Sequence, residues 1–136
     1  MYPEEIYSPM KAELIDLGFQ DLLTSDDVNN VLKKKGTTLI VVNSVCGCAA
    51  ANARPAVKMS LSNSITPDNL ATVFAGVDKE ATDTARSNMV PFPPSSPSIA
   101  LFKDGELIHM IERHHIEGRS AEMIADNLIL AFNENC

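Results

Sequence analysis

The run Thr37 to Asn43 (TTLIVVN) carries β-branched and apolar residues without polar alternation. A strand that faces water on one side alternates polar and apolar residues. A continuous run is buried on both faces and belongs near the middle of a covered, mostly parallel sheet. Such a sheet needs helices on both sides, so strands and helices must alternate along the chain.

The rest of the chain supplies that alternation. Ile6, Met10, Leu14 and Leu17 recur at helical spacing and predict a helix over 4–17, stopped by Gly18. Phe19 to Leu23 reads as a short edge strand. Ser25 or Thr24 caps a second helix with Asp26 and Asp27 in its first turn, and it ends in Lys33-Lys34-Lys35-Gly36. After the central run comes Cys46-Gly47-Cys48, then an Ala-rich helix over 49–61 with Pro55 as a kink. Leu70 to Val77 is a second buried strand, and 78–89 a helix with Asp78 as its cap. Pro91 to Pro97 is an ordered Pro- and Ser-rich loop. Ile99 to Phe102 is a third core strand, Lys103-Asp104-Gly105-Glu106 a hairpin turn, and Leu107 to Ile111 an antiparallel return. Ser120 caps a last helix.

The expected fold is an α/β/α three-layer sandwich in one domain over 1–136. It has a mixed sheet with a parallel core, a C-terminal antiparallel hairpin and an extra N-terminal helix.

Charge narrows the partners. With 18 acidic against 11 basic residues the net charge is −7. That argues against a nucleic-acid backbone or an anionic membrane as the main partner, while leaving room for a local basic spot. No apolar run reaches the roughly 18–20 residues of a membrane span, and the start of the chain lacks a signal-peptide pattern. A cytoplasmic location is expected.

An odd count of 3 cysteines argues against a disulfide framework. Cys46 stands where the buried strand ends and a helix begins. Free N–H groups and the positive end of the helix dipole favour a thiolate there. Cys48 follows two residues on. Within a regular helix positions i and i+2 face apart, so Gly47 is read as relaxing the backbone to let the sulfurs meet. A disulfide in so small a ring is expected to be strained and readily reduced. Two other readings stay open: a pair of inert buried thiols, or half of a zinc site completed by His114 and His115. The expectation is no metal.

Pro97 stands at the first position of a strand, where proline is allowed; a cis and a trans bond are both open. Pro97 precedes Asp104 by seven positions, while Arg113 and His114 follow Gly105 by eight and nine. The hairpin therefore returns Arg113 and His114 to the Pro97 end of the sheet. In a fold of the kind resembled below, that is the Cys46 end, and there Arg113 or His114 is expected to stabilise the thiolate or receive an anionic group of the thiol substrate. The last helix carries Cys136 about 20 Å away, at roughly 1.5 Å per residue. Cys136 is therefore expected to be an exposed thiol without a catalytic part, with intermolecular pairing or modification as the other reading.

The order of strand, cysteine motif, Pro-bearing helix, strand, helix, Pro, strand and Asp-Gly hairpin resembles the thioredoxin fold. The segments around Asn43-Ser44-Val45-Cys46-Gly47-Cys48, Arg54-Pro55, Phe74-Ala75-Gly76, Pro94-Ser95-Ser96-Pro97-Ser98, Arg113-His114 and Ile116-Glu117-Gly118 are similar to those of the bacilliredoxin family. The resemblance implies a thiol–disulfide oxidoreductase that removes bacillithiol from S-bacillithiolated cytosolic proteins. Bacillithiol would be a thiol co-substrate, with no bound cofactor. Cys46 would be the attacking thiolate, Cys48 a resolving or modulating thiol, and Pro97 a cis-proline beside the site. A separate recycling reductase is a further partner that such a reaction admits. Relatives have also been described as disulfide isomerases. The chain departs from thioredoxin itself in having CGC for CxxC, no Trp before the motif, and Ile40 where thioredoxin buries an acid.

Overall fold

A computed structural model describes residues 2–136. Helix α1 spans Glu4–Ile15, followed by strand β1, Gln20–Asp21, and helix α2, Ser25–Leu32. Strand β2 is Thr37–Asn43. A π-helical turn, Ala49–Ala53, leads into α3, Arg54–Ser60. Then come β3 (Asn69–Phe74), α4 (Lys79–Ser87), β4 (Ser98–Lys103), β5 (Glu106–Ile111), a short α5 (Arg113–Ile116) and α6 (Ala121–Asn135).

The five strands form one sheet in the order β1-β3-β2-β4-β5. β2 is its middle strand and every residue in it is buried, as its continuous run requires. β1, β3 and β2 are parallel, while β4 runs antiparallel to both β2 and β5. The antiparallel part thus takes in the third core strand as well as the hairpin return. The stretch from Asn88 to Pro97 explains this. α4 already ends beside the cysteine motif, with Arg86 of its last turn in a groove next to Cys46, and the turns and bends that follow keep the chain at that end, so Ser98 enters opposite Val42.

The two faces of the sheet make two cores. Leu39 and Val41 of β2 pack with Leu14, Val57, Leu128 and Phe132, from α1, α3 and α6. Ile40 and Val42 pack with Val28 and Val31 of α2 and with Ala81 and Ala85 of α4. Alternate residues of one strand thus serve opposite layers. The layers are α1/α3/α6, sheet, and α2/α4.

The caps follow local chemistry. Thr24 Oγ1 accepts from the Asp27 amide at 3.1 Å, and Ser120 Oγ from that of Met123 at 3.2 Å. Asp78 stands at the start of α4 but makes no side-chain cap bond. Its carboxylate is engaged by Lys11 at 2.7 Å, and Lys11 also pairs with Asp21 at 3.1 Å. α1 is thereby tied to β1 and to the start of α4. The hairpin turn places Asp104 and Gly105 at φ of 50° and 85°, the geometry that an Asp-Gly pair favours.

Proline 55 does not act as a simple kink. It lies in the first turn of α3, directly after the π-helical turn. Without an N–H, and with a ring that crowds the carbonyl four residues back, it cannot sit inside a continuous α-helix. The chain widens by one residue instead, and the Arg54 amide reaches the carbonyl of Ala49.

Candidate active site

Cys46 lies between the end of β2 and the helix that begins at Gly47. Its carbonyl accepts from the amides of Ala49, at 3.0 Å, and Ala50, at 3.3 Å, which makes it the cap residue of that helix. Its sulfur takes the acceptor role that a Ser or Asp oxygen fills at other caps. It lies 2.8 Å from the Cys48 sulfur, whose thiol hydrogen favours the Cys46 thiolate, and the nearby backbone amides of Cys48 and Ala49 and the Arg113 guanidinium add favourable charge. These interactions outweigh desolvation and hold the Cys46 thiol below its ordinary pKa. The Cys48 thiol is pushed up by burial and by its hydrogen bond to Cys46. The sulfurs are 2.8 Å apart and neither is in a disulfide.

The sulfurs meet for a different reason from the one expected. Gly47 is not among the glycines at positive φ, and a Cβ placed on it meets nothing within 4 Å. No unusual backbone angle is used there. Two residues inside a helix face apart, but Cys46 caps the helix from outside, and its side chain turns back over the first turn toward Cys48.

A buried arginine sets the pose of this loop. Arg54 is 3% exposed and makes bonds in three directions. Its Nε donates to Glu13 of α1 at 3.0 Å, and its Nη1 donates to Asn43 Oδ1 at 2.9 Å and to the Ser44 carbonyl at 3.1 Å. Asn43 Oδ1 also accepts from the Ser44 amide at 2.9 Å, and Asn43 Nδ2 donates to the Met10 carbonyl at 3.1 Å. Ser44 Oγ in turn accepts the Cys46 amide at 3.2 Å. The network runs from α1 through Arg54 and the end of β2 to the cysteine. In the sequence, Arg54 and Asn43 stand out only as parts of a motif. Their contacts join residues up to 41 positions apart, which no local pattern displays.

Pro97 is buried and follows a cis peptide bond, and a second cis bond precedes Pro91. Since Ser98 pairs with Val42, Pro97 and Ser96 continue past Asn43 toward the cysteine loop. Arg113 reaches the same place. Its amide donates to Ser95 Oγ at 3.4 Å, its Nη1 to the Ser96 carbonyl at 3.3 Å, and its Nε to Glu117. A groove of about 450 Å³ lies beside the motif, with Ser44, Cys46, Gly76, Arg86, Ser96 and Arg113 in its lining.

His114 is placed otherwise. Residues 113–116 form the short α5, where adjacent side chains diverge by about 100°, so Arg113 and His114 cannot both face the groove. His114 is 69% exposed, faces Glu112 at 3.7 Å, and packs against His115 with ring centroids 4.0 Å apart and planes tilted by 51°. His115 Nδ1 accepts the Glu112 amide at 3.1 Å in a capping box with the Glu112 side chain. The donors of both histidines gather with Glu112, without either sulfur. The zinc reading with two cysteines and two histidines is therefore not assembled.

Cys136 is exposed. Arg119, just before α6, accepts from Asn52 of the π-helical turn, while Asn133 near the end of α6 bonds Asn63 beyond α3 at 3.0 Å. α6 thus runs from the cysteine motif to the far end of α3, and Cys136 ends there. No helix among the described residues is long and apolar enough to cross a membrane.

Residues 2–136 match the family model described as Disulphide isomerase. A bacilliredoxin of Cytophaga hutchinsonii is 59% identical over 134 residues, covering 98% of this chain and 99% of that one. A bacilliredoxin of Shouchella clausii is 52% identical over 136 residues, covering 99% and 94%. Among solved structures, mitochondrial thioredoxin 3 of Saccharomyces cerevisiae superposes with a TM-score of 0.57 at 18% identity, covering 87% of this chain and 96% of that one. Fasciola hepatica thioredoxin gives 0.59 at 16% identity, covering 87% and 100%. The expected thioredoxin-like fold is the one found.

Proposed function

The chain belongs to the bacilliredoxin family and is a thiol–disulfide oxidoreductase, and we propose that it removes bacillithiol from S-bacillithiolated client proteins. The observation that carries this reading is the place of Cys46, which caps the start of a helix through its carbonyl and holds its sulfur 2.8 Å from that of Cys48, so that its thiol lies below its ordinary pKa. A thiol so placed is ionised at lower pH than its neighbour, and the thiolate is the species that attacks a disulfide.

In the first step the Cys46 thiolate attacks the bacillithiol-side sulfur of the client mixed disulfide. The S–S bond between client and bacillithiol breaks, a Cys46–bacillithiol disulfide forms, and the client leaves as its thiolate. Two routes restore Cys46. A second bacillithiol thiolate attacks the bacillithiol-side sulfur, releasing bacillithiol disulfide and the Cys46 thiolate. Alternatively, Cys48 gives up its proton and attacks the Cys46 sulfur. That releases bacillithiol and leaves a Cys46–Cys48 disulfide, which an external two-electron reductant must reopen. The 2.8 Å sulfur separation suits the second route.

Each neighbour has a role in this scheme. Arg113 adds positive charge beside the thiolate. Pro97 and Ser96 form the wall against which the client disulfide lies, and Gly47 exposes the motif. Clients in the cytosol and a separate recycling reductase complete the cycle.

Mass spectrometry of one client protein blocked with bacillithiol, and of the same protein blocked with glutathione, tests the reading. Wild-type protein and Cys48→Ser should release the bacillithiolated client, and Cys46→Ser should not. Faster repair of a scrambled disulfide substrate than of either mixed disulfide would instead assign the site to isomerisation.

A further inference from the structure

Arg86 is a cation without an anion. It lies in the last turn of α4 and lines the groove beside Cys46. Its Nη2 donates to the Ser95 carbonyl at 3.4 Å, while its Nε is buried without any acceptor. No carboxylate among the described residues pairs with it, although the chain carries 18 acids against 11 basic residues. A guanidinium stays charged at every physiological pH, and a buried donor without an acceptor is costly. Arg113 approaches from α5 and donates to the next carbonyl, that of Ser96, at 3.3 Å. Two guanidiniums from different helices thus hold consecutive carbonyls on one wall of the same groove. Arg113 is shared with Glu117 and Cys46, whereas Arg86 has only a long bond to a carbonyl.

We propose that Arg86, together with Arg113, forms a carboxylate-binding subsite that selects an anionic low-molecular-weight thiol as the group Cys46 removes. The inference deepens the debacillithiolation reading and rests on it. The groove, at about 450 Å³, has the size of a small-ligand site. A carboxylate seated there pairs with the Arg86 donors that reach the groove, neutralises a charge that no acid of the protein neutralises, and anchors the thiol half of the mixed disulfide while the client half departs. A planar guanidinium suits a carboxylate through paired N–H donors, so the subsite discriminates by charge and by shape.

The test uses one peptide with uncharged flanks and a single cysteine, blocked with either mercaptosuccinate or 2-mercaptoethanol. Single-turnover rate constants with reduced protein give a ratio of anionic to neutral substrate. Dividing by the ratio for a simple thiolate removes intrinsic reactivity. The wild-type ratio should exceed one and fall with added salt. Arg86→Gln should lower it about tenfold, the size of one charge-assisted hydrogen bond, and Arg86→Lys should restore part of it. Equal loss on both substrates in Arg86→Gln, or an unchanged ratio, would overturn the subsite. So would an equal gain in rate when the 2-mercaptoethanol-blocked peptide is remade with acidic flanks. If wild-type protein opens both disulfides at the simple-thiolate ratio, the anion subsite fails and the exchange reading stands. If it opens neither, both fail.

Discussion

Replacing Arg54 by Met should loosen the cysteine loop and destabilise the whole fold. The methionine occupies similar volume but gives up three hydrogen bonds. The bond to Glu13 contributes little, since that carboxylate is 51% exposed and regains water. The other two go from a buried guanidinium to the acceptors Asn43 Oδ1 and the Ser44 carbonyl, where each such bond is worth about 1.5–3 kcal/mol. Removing a buried charge returns part of that sum. The net cost should be about 3 kcal/mol, or a fall in Tm of about 10 °C for a chain of this length. Urea titration read by circular dichroism and a thermal scan measure it. Because Ser44 Oγ holds the Cys46 amide, the Cys46 titration should also move upward. Arg54→Lys should be intermediate, since one ammonium cannot span Glu13 and the Asn43–Ser44 pair together. Stability within about 0.5 kcal/mol of wild type, with an unmoved thiol titration, would refute the network's role.

Other substitutions test separate parts of the account. Gly47→Ala should be neutral or stabilising by up to about 1 kcal/mol, because the backbone there needs no positive φ and the space is open. A loss of stability in urea titration would contradict that. Arg113→Ala should raise the Cys46 pKa and slow debacillithiolation at neutral pH; an unchanged pH–rate profile would remove Arg113 from the site. His115 is held below its ordinary pKa chiefly by burial, with the nearby His114 adding to the shift. Its unfolded form therefore binds a proton more readily than its folded form, and the stability this confers is present above about pH 6.5 and lost as pH falls through the lower folded value. The α5 turn should loosen in that range, with Nδ1 losing its bond from the Glu112 amide. Ring resonances followed by NMR through an acid titration check this.

Much of the architecture can be read locally because its causes are local. The unbroken run 37–43 implies a strand covered on both sides, and Thr24, Ser120 and Asp104-Gly105 mark caps and a turn through their own side chains or dihedrals. The Cys46 environment is legible for the same reason: a strand-to-helix junction supplies free amides wherever it occurs. Other features depend on partners distant in sequence. Asp78 looks like a cap until Lys11, from another helix, engages it. The π-helical turn is the response of a whole helix to Pro55, not a preference of the alanines that form it. Arg54 and Arg86 resemble ordinary helix arginines, and only packing makes one a buried tether and the other a free donor. His114 follows Arg113 in sequence, but the turn at 113–116, which no periodicity announced, separates their directions.

The central claim is that Cys46 is the more acidic thiol of the pair, chiefly because Cys48 donates to it. Alkylation by iodoacetamide across pH, with each cysteine resolved by mass spectrometry, tests this in wild type and in Cys48→Ala. Thiolate grows as pH rises through the pKa, so Cys46 should be modified with a midpoint below the ordinary value of about 8.5, and Cys48 above it. In Cys48→Ala the Cys46 midpoint should move upward yet stay below the ordinary value, since the backbone amides of residues 48 and 49 and Arg113 remain. Equal midpoints for the two thiols, or a Cys46 midpoint that ignores the loss of Cys48, would contradict the account.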